Sequence, residues 1–136
     1  MTMAANKIFI SHSNADKGWA REFAKRLSGI GVDVWFDEFN IKPGDSISES
    51  VERGMRASDM IVLLVSDQSI SNSNFFFELG AALGMNKKIV LVVPEGFSVS
   101  KLPISVQRRK YLVRKSPKET AEELAVGLEL LHGEAA

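Results

Sequence analysis

Met60-Ile-Val-Leu-Leu-Val-Ser66 is an apolar run broken only at its final serine. A strand with no polar alternation has no solvent side, which places it at the centre of a parallel sheet covered by helices on both faces. At this length it falls far short of the ~20 residues that cross a bilayer, as does Ile89 to Val93. Outward from it, short apolar runs alternate with helical patterns, the sign of repeated βα units. Towards the amino end, Lys7 to Ser11 reads as the first strand, and a helix follows in which Trp19, Phe23, Leu27 and Ile30 recur at helical spacing. Gly29 and Gly31 close that helix, and Val32 to Phe36 is the second strand. A loop from Asp37 to Asp45 contains the turn signal Pro43-Gly44. Ser46-Ile-Ser-Glu49 fits a capping box for a second helix whose buried stripe is Ile47, Val51 and Met55.

Towards the carboxyl end, a polar stretch from Asp67 to Asn74 leads into a third helix, Phe75 to Gly84, and then a fourth strand, Lys88 to Val93, stopped by Pro94. Periodicity fails from Glu95 to Gln107, which predicts irregular chain with at most one short helical turn. Arg109 to Val113 is a weak fifth strand. Ser116-Pro-Lys-Glu119 is a second capping box, opening a last helix with an apolar face of Leu124, Leu128 and Leu131. The expected fold is therefore α/β, a flavodoxin-like doubly wound sheet of five parallel strands in the order 2-1-3-4-5 with helices on both faces. A chain of 136 residues with 45% hydrophobic content matches a single domain, taken as 1–136 with its core at about 7–131.

Composition narrows the chemistry. Lys plus Arg equal Asp plus Glu at 17 each, so no overall field draws the chain to nucleic acid or to an anionic membrane. The absence of cysteine removes disulfides, thiolate nucleophiles and thiolate metal sites, and His12 and His132 are the only imidazoles. No metal and no cofactor are expected. Met1 to Lys7 lacks the apolar stretch of a secretory signal, and the expectation is a cytoplasmic protein whose partners are small molecules or proteins.

In open parallel sheets ligands bind beyond the carboxyl ends of the strands where strand order reverses, here between strands one and three. Ser11-His12-Ser13, the segment Phe39 to Asp45 and the segment Asp67 to Glu78 should meet there. Glu78, near the start of its helix, is placed where the dipole favours a carboxylate. It has Asn74 four residues before it and Ala81 and Ala82 after it, small neighbours that leave space for a ligand. It reads either as a catalytic carboxylate or as a surface group assisting the helix start. A capping box does not explain it, because Phe75 stands where the serine would be. His12 reads as a proton shuttle or a loop hydrogen-bonder, Asp16 as the cap or start of the first helix, and Asp37-Glu38 as a solvated acidic pair or part of the site. Phe75, Phe76 and Phe77 cannot all face one way on a helix, so at least one ring lies outside the core. Arg108-Arg109-Lys110 is a basic run, either a solvated edge or an assembly contact.

These residues resemble the Toll/interleukin-1 receptor (TIR) domains, and more closely their bacterial members. Lys7 to Asp16 looks like the first box of that family, Asp37 to Asp45 like its BB loop, and Asp59 to Ser66 with Asn74 to Gly80 like its third strand and catalytic helix. The likeness spans roughly Lys7 to Leu131. It implies cleavage of the nicotinamide glycosidic bond of NAD, as substrate rather than cofactor, with Glu78 as the catalytic glutamate. Phe9, Ser11, His12, Phe36, Asp37, Asn74 and Phe75 would be the substrate-binding set. Phe39, Asn40, Ile41, Lys42, Pro43, Gly44 and Asp45 would form the BB loop used in assembly with itself or other TIR domains. It further implies activation by that assembly, a sensor domain or protein outside this chain, and a role in antiphage defence or virulence. Many such enzymes carry tryptophan four residues before the glutamate, where this chain has Asn74. Two other readings stand beside it. One is a non-catalytic TIR interaction module. The other is a nucleoside deoxyribosyltransferase-like enzyme, to which Glu78-Leu-Gly-Ala-Ala-Leu-Gly84 before Lys87-Lys-Ile-Val90 is also similar. A phosphoreceiver would place an acidic pair where Ser11-His12-Ser13 stands, and a flavodoxin a phosphate-binding loop.

Overall fold

Five strands form one sheet: β1 (Lys7–Ser11), β2 (Asp33–Trp35), β3 (Met60–Leu64), β4 (Lys88–Val93) and β5 (Tyr111–Val113). Their order is β2-β1-β3-β4-β5, and every pairing is parallel. The computed structural model describes residues 7–107, 109 and 111–132, with side chains described to residue 128. Arg108 and Lys110 of the basic run, and the side chains of Leu131 and His132, lie outside the described part.

The helices are α1 (Lys17–Gly29), α2 (Asp37–Asn40), α3 (Ile47–Ala57), α4 (Asp67–Ile70), α5 (Ser73–Gly84), α6 (Ile104–Gln107) and α7 (Pro117–His132). Because successive strand residues face opposite ways, the apolar run of β3 divides between two cores. Val62 and Leu64, with Ile8 and Ile10 of β1, pack on Phe23 and Leu27 of α1 and on Leu124 and Leu128 of α7. Ile61 and Leu63, with Phe9 of β1, pack on Met55 of α3 and on Phe75, Leu79 and Ala82 of α5. Each such side chain contributes about 1.5–3 kcal/mol on burial, and β3, buried along its whole length, anchors both layers.

Local chemistry fixes the helix positions. Ser46 caps α3 by accepting from the Glu49 N–H, and Ser116 and Glu119 exchange bonds at the start of α7. In the Lys42–Asp45 turn, the Asp45 N–H reaches the Lys42 carbonyl at 3.0 Å, and Gly44 takes φ +94°, a left-handed angle that glycine adopts without strain. Gly54 lets α3 approach β2, since a Cβ there would lie 2.6 Å from the Trp35 ring.

Several expectations are corrected. The Asp37–Asp45 segment starts with a helical turn, α2, because the Phe39 and Asn40 N–H groups both close onto the Phe36 carbonyl. The polar stretch from Asp67 also contains a helical turn, α4, set by reciprocal bonds between Ser66 and Ser69 rather than by any apolar period. Two short turns, not one, occupy the region after β4: a 3-10 turn at Val99–Lys101 and α6. Ile30 follows the end of α1, and Ile47 sits at the first position of α3, where no layer covers either; they are 51% and 68% exposed. Among the described residues no helix is long and apolar enough to cross a membrane.

Candidate active site

Helix α5 begins where Asn72 caps it, its side chain accepting from the Asn74 N–H at 2.8 Å. That start puts Phe75, Leu79 and Ala82 on the buried face. Glu78 lies at the edge of that face and reaches the carboxyl end of β1, where the Ser11 hydroxyl donates to its Oε1. The dipole expectation is corrected here: Glu78 falls in the second turn, with no acidic residue in the first, and dipole effects fade within one turn. Its electrostatics come from burial and neighbours instead. Burial pushes the Glu78 carboxyl above the usual carboxylate range; the Ser11 bond and the positive charge of His12 act against the rise, and Asp37 adds to it.

His12, next along the chain, has a side chain only 6% exposed. Its Nε2 lies 3.0 Å from Asp37 Oδ1 and its Nδ1 2.8 Å from the Ser13 carbonyl, and its ring packs on Phe36 at 5.1 Å. Burial lowers its pKa, but the bonds to Asp37 and Ser13 outweigh burial, and the net shift is upward. The same His12 bond holds the Asp37 carboxyl below its ordinary value.

Above these groups opens a cavity of about 1070 Å³, large enough for a dinucleotide. The end of β1 supplies Ser11 and His12, α2 supplies Asp37, and α5 supplies Asn74, Phe75, Phe77 and Glu78. Ile41 and Asp45 stand on the rim, and α3 forms the remaining wall with Ser48, Val51, Glu52 and Met55. The three segments expected at the crossover therefore meet.

Not every expected site residue lines the cavity. Phe9 is 1% exposed and stacks on Trp35 in the core beneath, with ring centroids 4.6 Å apart. Phe36 points to the opposite layer and is fully buried, so it supports the His12 ring from behind. Phe39, Asn40, Lys42, Pro43 and Gly44 stand outside the lining; the Asn40 side chain accepts from the Phe36 N–H at 3.0 Å. Sequence reasoning missed the α3 wall, having read Val51 and Met55 purely as core. Ser48 and Glu52, four residues apart on the same helix, were the available signal. The ring of the Phe75–Phe77 run expected outside the core is Phe77, which is 72% exposed and lines the cavity. Asp16 stands at the N-cap position of α1, as expected, but its side chain makes no capping bond. Its carboxylate instead accepts from Arg114 at 2.9 Å, Ser66 at 2.8 Å and Ser13 at 2.9 Å.

A family model described as "TIR domain" matches residues 8–126. The chain belongs to the TIR domain family. This TIR domain is 37% identical over 73 residues to the 2' cyclic ADP-D-ribose synthase AbTIR of Acinetobacter baumannii, covering 53% of the chain and 27% of that protein. It is 37% identical over 60 residues to the NAD(+) hydrolase PdTIR of Paracoccus denitrificans, covering 43% of the chain and 20% of that protein. The matches span about a quarter of the length of these curated relatives. In three dimensions it superposes on a TIR-STING receptor from C. gigas with a TM-score of 0.77 at 21% identity, covering 94% of the chain and 40% of the receptor. That likeness shows the shared fold.

Proposed function

We propose that this TIR domain cleaves the nicotinamide glycosidic bond of NAD, with Glu78 as the catalytic carboxylate. The observation that carries the reading is a half-buried glutamate, hydrogen-bonded by Ser11 and raised in pKa by burial, projecting into a dinucleotide-sized cavity at the β1/β3 crossover. The names of the two bacterial relatives, an NAD hydrolase and a cyclic ADP-ribose synthase, support it.

One carboxylate suffices for this reaction. Glycosidases that expel an oxygen need a second group to protonate it. Nicotinamide in NAD is already cationic: when the bond from the ribose C1′ to the ring nitrogen breaks, the electron pair passes to the nitrogen and the ring departs neutral. Glu78 then faces the positive charge left on the ribose, stabilising it or bonding to it. Water as acceptor gives ADP-ribose; attack by the adenine gives a cyclic product. Phe77 and the edge of Phe75 offer aromatic surface for the nicotinamide ring.

The lining also supports activation by assembly. Asp37, Asp45, Glu52 and Glu78 are acidic, and no Lys or Arg is among the described residues that line the cavity. Apart from His12, the described lining offers the pyrophosphate of NAD no cation, and a second TIR domain seated on the 41–45 rim would supply one. A role for NAD consumption in antiphage defence or virulence is the biological extension of this reading. Incubating the purified protein with NAD, alone and under crowding, and identifying the products tests it. Loss of nicotinamide release in Glu78→Ala is the expected result. An active preparation whose turnover survives that substitution would sink the assignment and leave a TIR interaction module.

A further inference from the structure

His12 is held between two groups that only accept. The Ser13 carbonyl faces Nδ1 at 2.8 Å and the Asp37 carboxylate faces Nε2 at 3.0 Å, while the side chain is almost fully removed from water. A neutral imidazole carries one proton, so one of these close contacts would set lone pair against lone pair; the imidazolium satisfies both. Phe36, itself fully buried, packs against the ring. Three elements present charge to this histidine: Asp37 from α2, Lys17 from α1, which opposes its protonation, and Glu78 from α5. Glu78 in turn faces Ser11, His12 and Asp37. Asp37 alone would push Glu78 towards its neutral form. With His12 protonated beside it, that repulsion is offset.

We propose that the His12–Asp37 pair is the positioning device of this site: its imidazolium keeps a positive charge beside Glu78 and ties α2, and with it the 41–45 rim, to the end of β1. The proposal rests on Glu78 being the carboxylate that cleaves NAD, and it makes His12 a positioning residue, since nothing places it on the reacting bond. At neutral pH Glu78 must be ionised to meet a developing cation, yet it sits in a site that resists ionisation; a fixed neighbouring charge resolves the conflict.

The test uses His12→Gln and Asp37→Asn in the full chain, with two readouts. NMR titration follows the Glu78 carboxyl and the His12 ring directly, and NAD turnover is followed against pH under the conditions in which the wild type is active. In His12→Gln the Glu78 titration should move upward. Its kcat should fall at least about tenfold at neutral pH and recover as pH rises, because Glu78 then ionises unaided. In Asp37→Asn, which keeps the ring, the His12 titration should move downward. A folded His12→Gln protein with Glu78 titrating as in the wild type would overturn the proposal, as would a His12 titration indifferent to Asp37→Asn. A uniform loss of kcat at every pH would also overturn it, by reducing His12 to a structural support. If the titrations move as expected but the wild type leaves NAD intact, the coupling stands and the reading of the substrate fails.

Discussion

Replacing Gly54 with alanine puts a methyl group 2.6 Å from Cε2 and Nε1 of Trp35 and 2.8 Å from its Cδ1, where carbon contacts settle at about 3.5–4.0 Å. About 1 Å of movement is required. The Trp35 ring cannot yield inward, because it lies flat on Phe9, 4.6 Å away and 9° from parallel, and Phe9 is buried. Helix α3 must therefore shift outward. Overpacking of this kind costs about 1–3 kcal/mol, and the ordinary gain of alanine over glycine inside a helix, about 0.5–1 kcal/mol, offsets part of it. The net loss, up to about 2.5 kcal/mol, lowers the melting midpoint by as much as roughly 10 °C in a domain of this size. Because α3 carries Val51, Glu52 and Met55 of the cavity wall, the same shift should raise KM in the proposed cleavage of NAD. Thermal or urea unfolding followed by fluorescence measures the first effect and steady-state kinetics the second. The sign decides: a midpoint that rises, as an unopposed glycine-to-alanine change in a helix would give, refutes the close-approach reasoning. In a Trp35→Leu background the clash is gone, and Gly54→Ala should then be neutral or stabilising.

Glu78→Gln mimics the protonated acid. A carboxyl whose folded pKa is raised contributes stability that is fully present below its unfolded pKa and lost as pH rises through the folded value. The substitution should therefore leave the neutral-pH melting midpoint equal to or above that of the wild type while turnover falls at least about 10²-fold; a large fall in the midpoint would show that Glu78 has a structural role instead. Arg114→Met strips the buried Asp16 of its guanidinium partner, the two side chains being 17% and 10% exposed, and should cost about 3–5 kcal/mol in urea unfolding. Burial raises the Asp16 pKa but the bonds from Arg114, Ser66 and Ser13 outweigh it, so its contribution is present at neutral pH and lost as pH falls through the lowered folded value. The variant should flatten that acid-side loss, and a stability change under 1 kcal/mol would contradict the role given to this pair.

Much of the fold was legible because burial writes itself into the pattern. β1 and β4 keep the bounds their apolar runs predicted, and the wholly apolar Met60–Leu64 proved to be buried along its whole length, with side chains in both cores. Elements held by local hydrogen bonds rather than by burial were not legible: α2 and α4 have almost no apolar face, and serine, Asn40 and carbonyl partners in the folded chain hold them. At the site, the crossover rule located Ser11, His12 and Glu78 together, and Asp37, two residues before the expected loop segment, joins them from α2. It could not separate rings that line a cavity from rings beneath it, because strand alternation decides which way each points. Phe9 went to the core under the floor for that reason, while Phe77, on the open side of α5, went to the cavity. The α3 wall was hidden for a related reason, since a helix stripe facing a cavity has the same period as one facing a core.

The acidity of the cavity also bears on how one carboxylate could serve the proposed reaction. In bound NAD the positive charge sits on the nicotinamide ring; in the transition state it has moved onto the ribose. An acidic lining attracts the first and stabilises the second, but only a group close to the ribose gains as the charge moves, and that gain is what raises kcat rather than affinity. Asp45 and Glu52, on the rim and on α3, can hold the cationic end of the substrate in either state. Glu78, hydrogen-bonded by Ser11 at the end of β1, is the carboxylate fixed in place before the charge arrives, so its orientation costs no reorganisation during the reaction. Once the bond breaks, nicotinamide is neutral and the acidic walls no longer retain it. The same walls that draw the substrate in therefore favour departure of the first product.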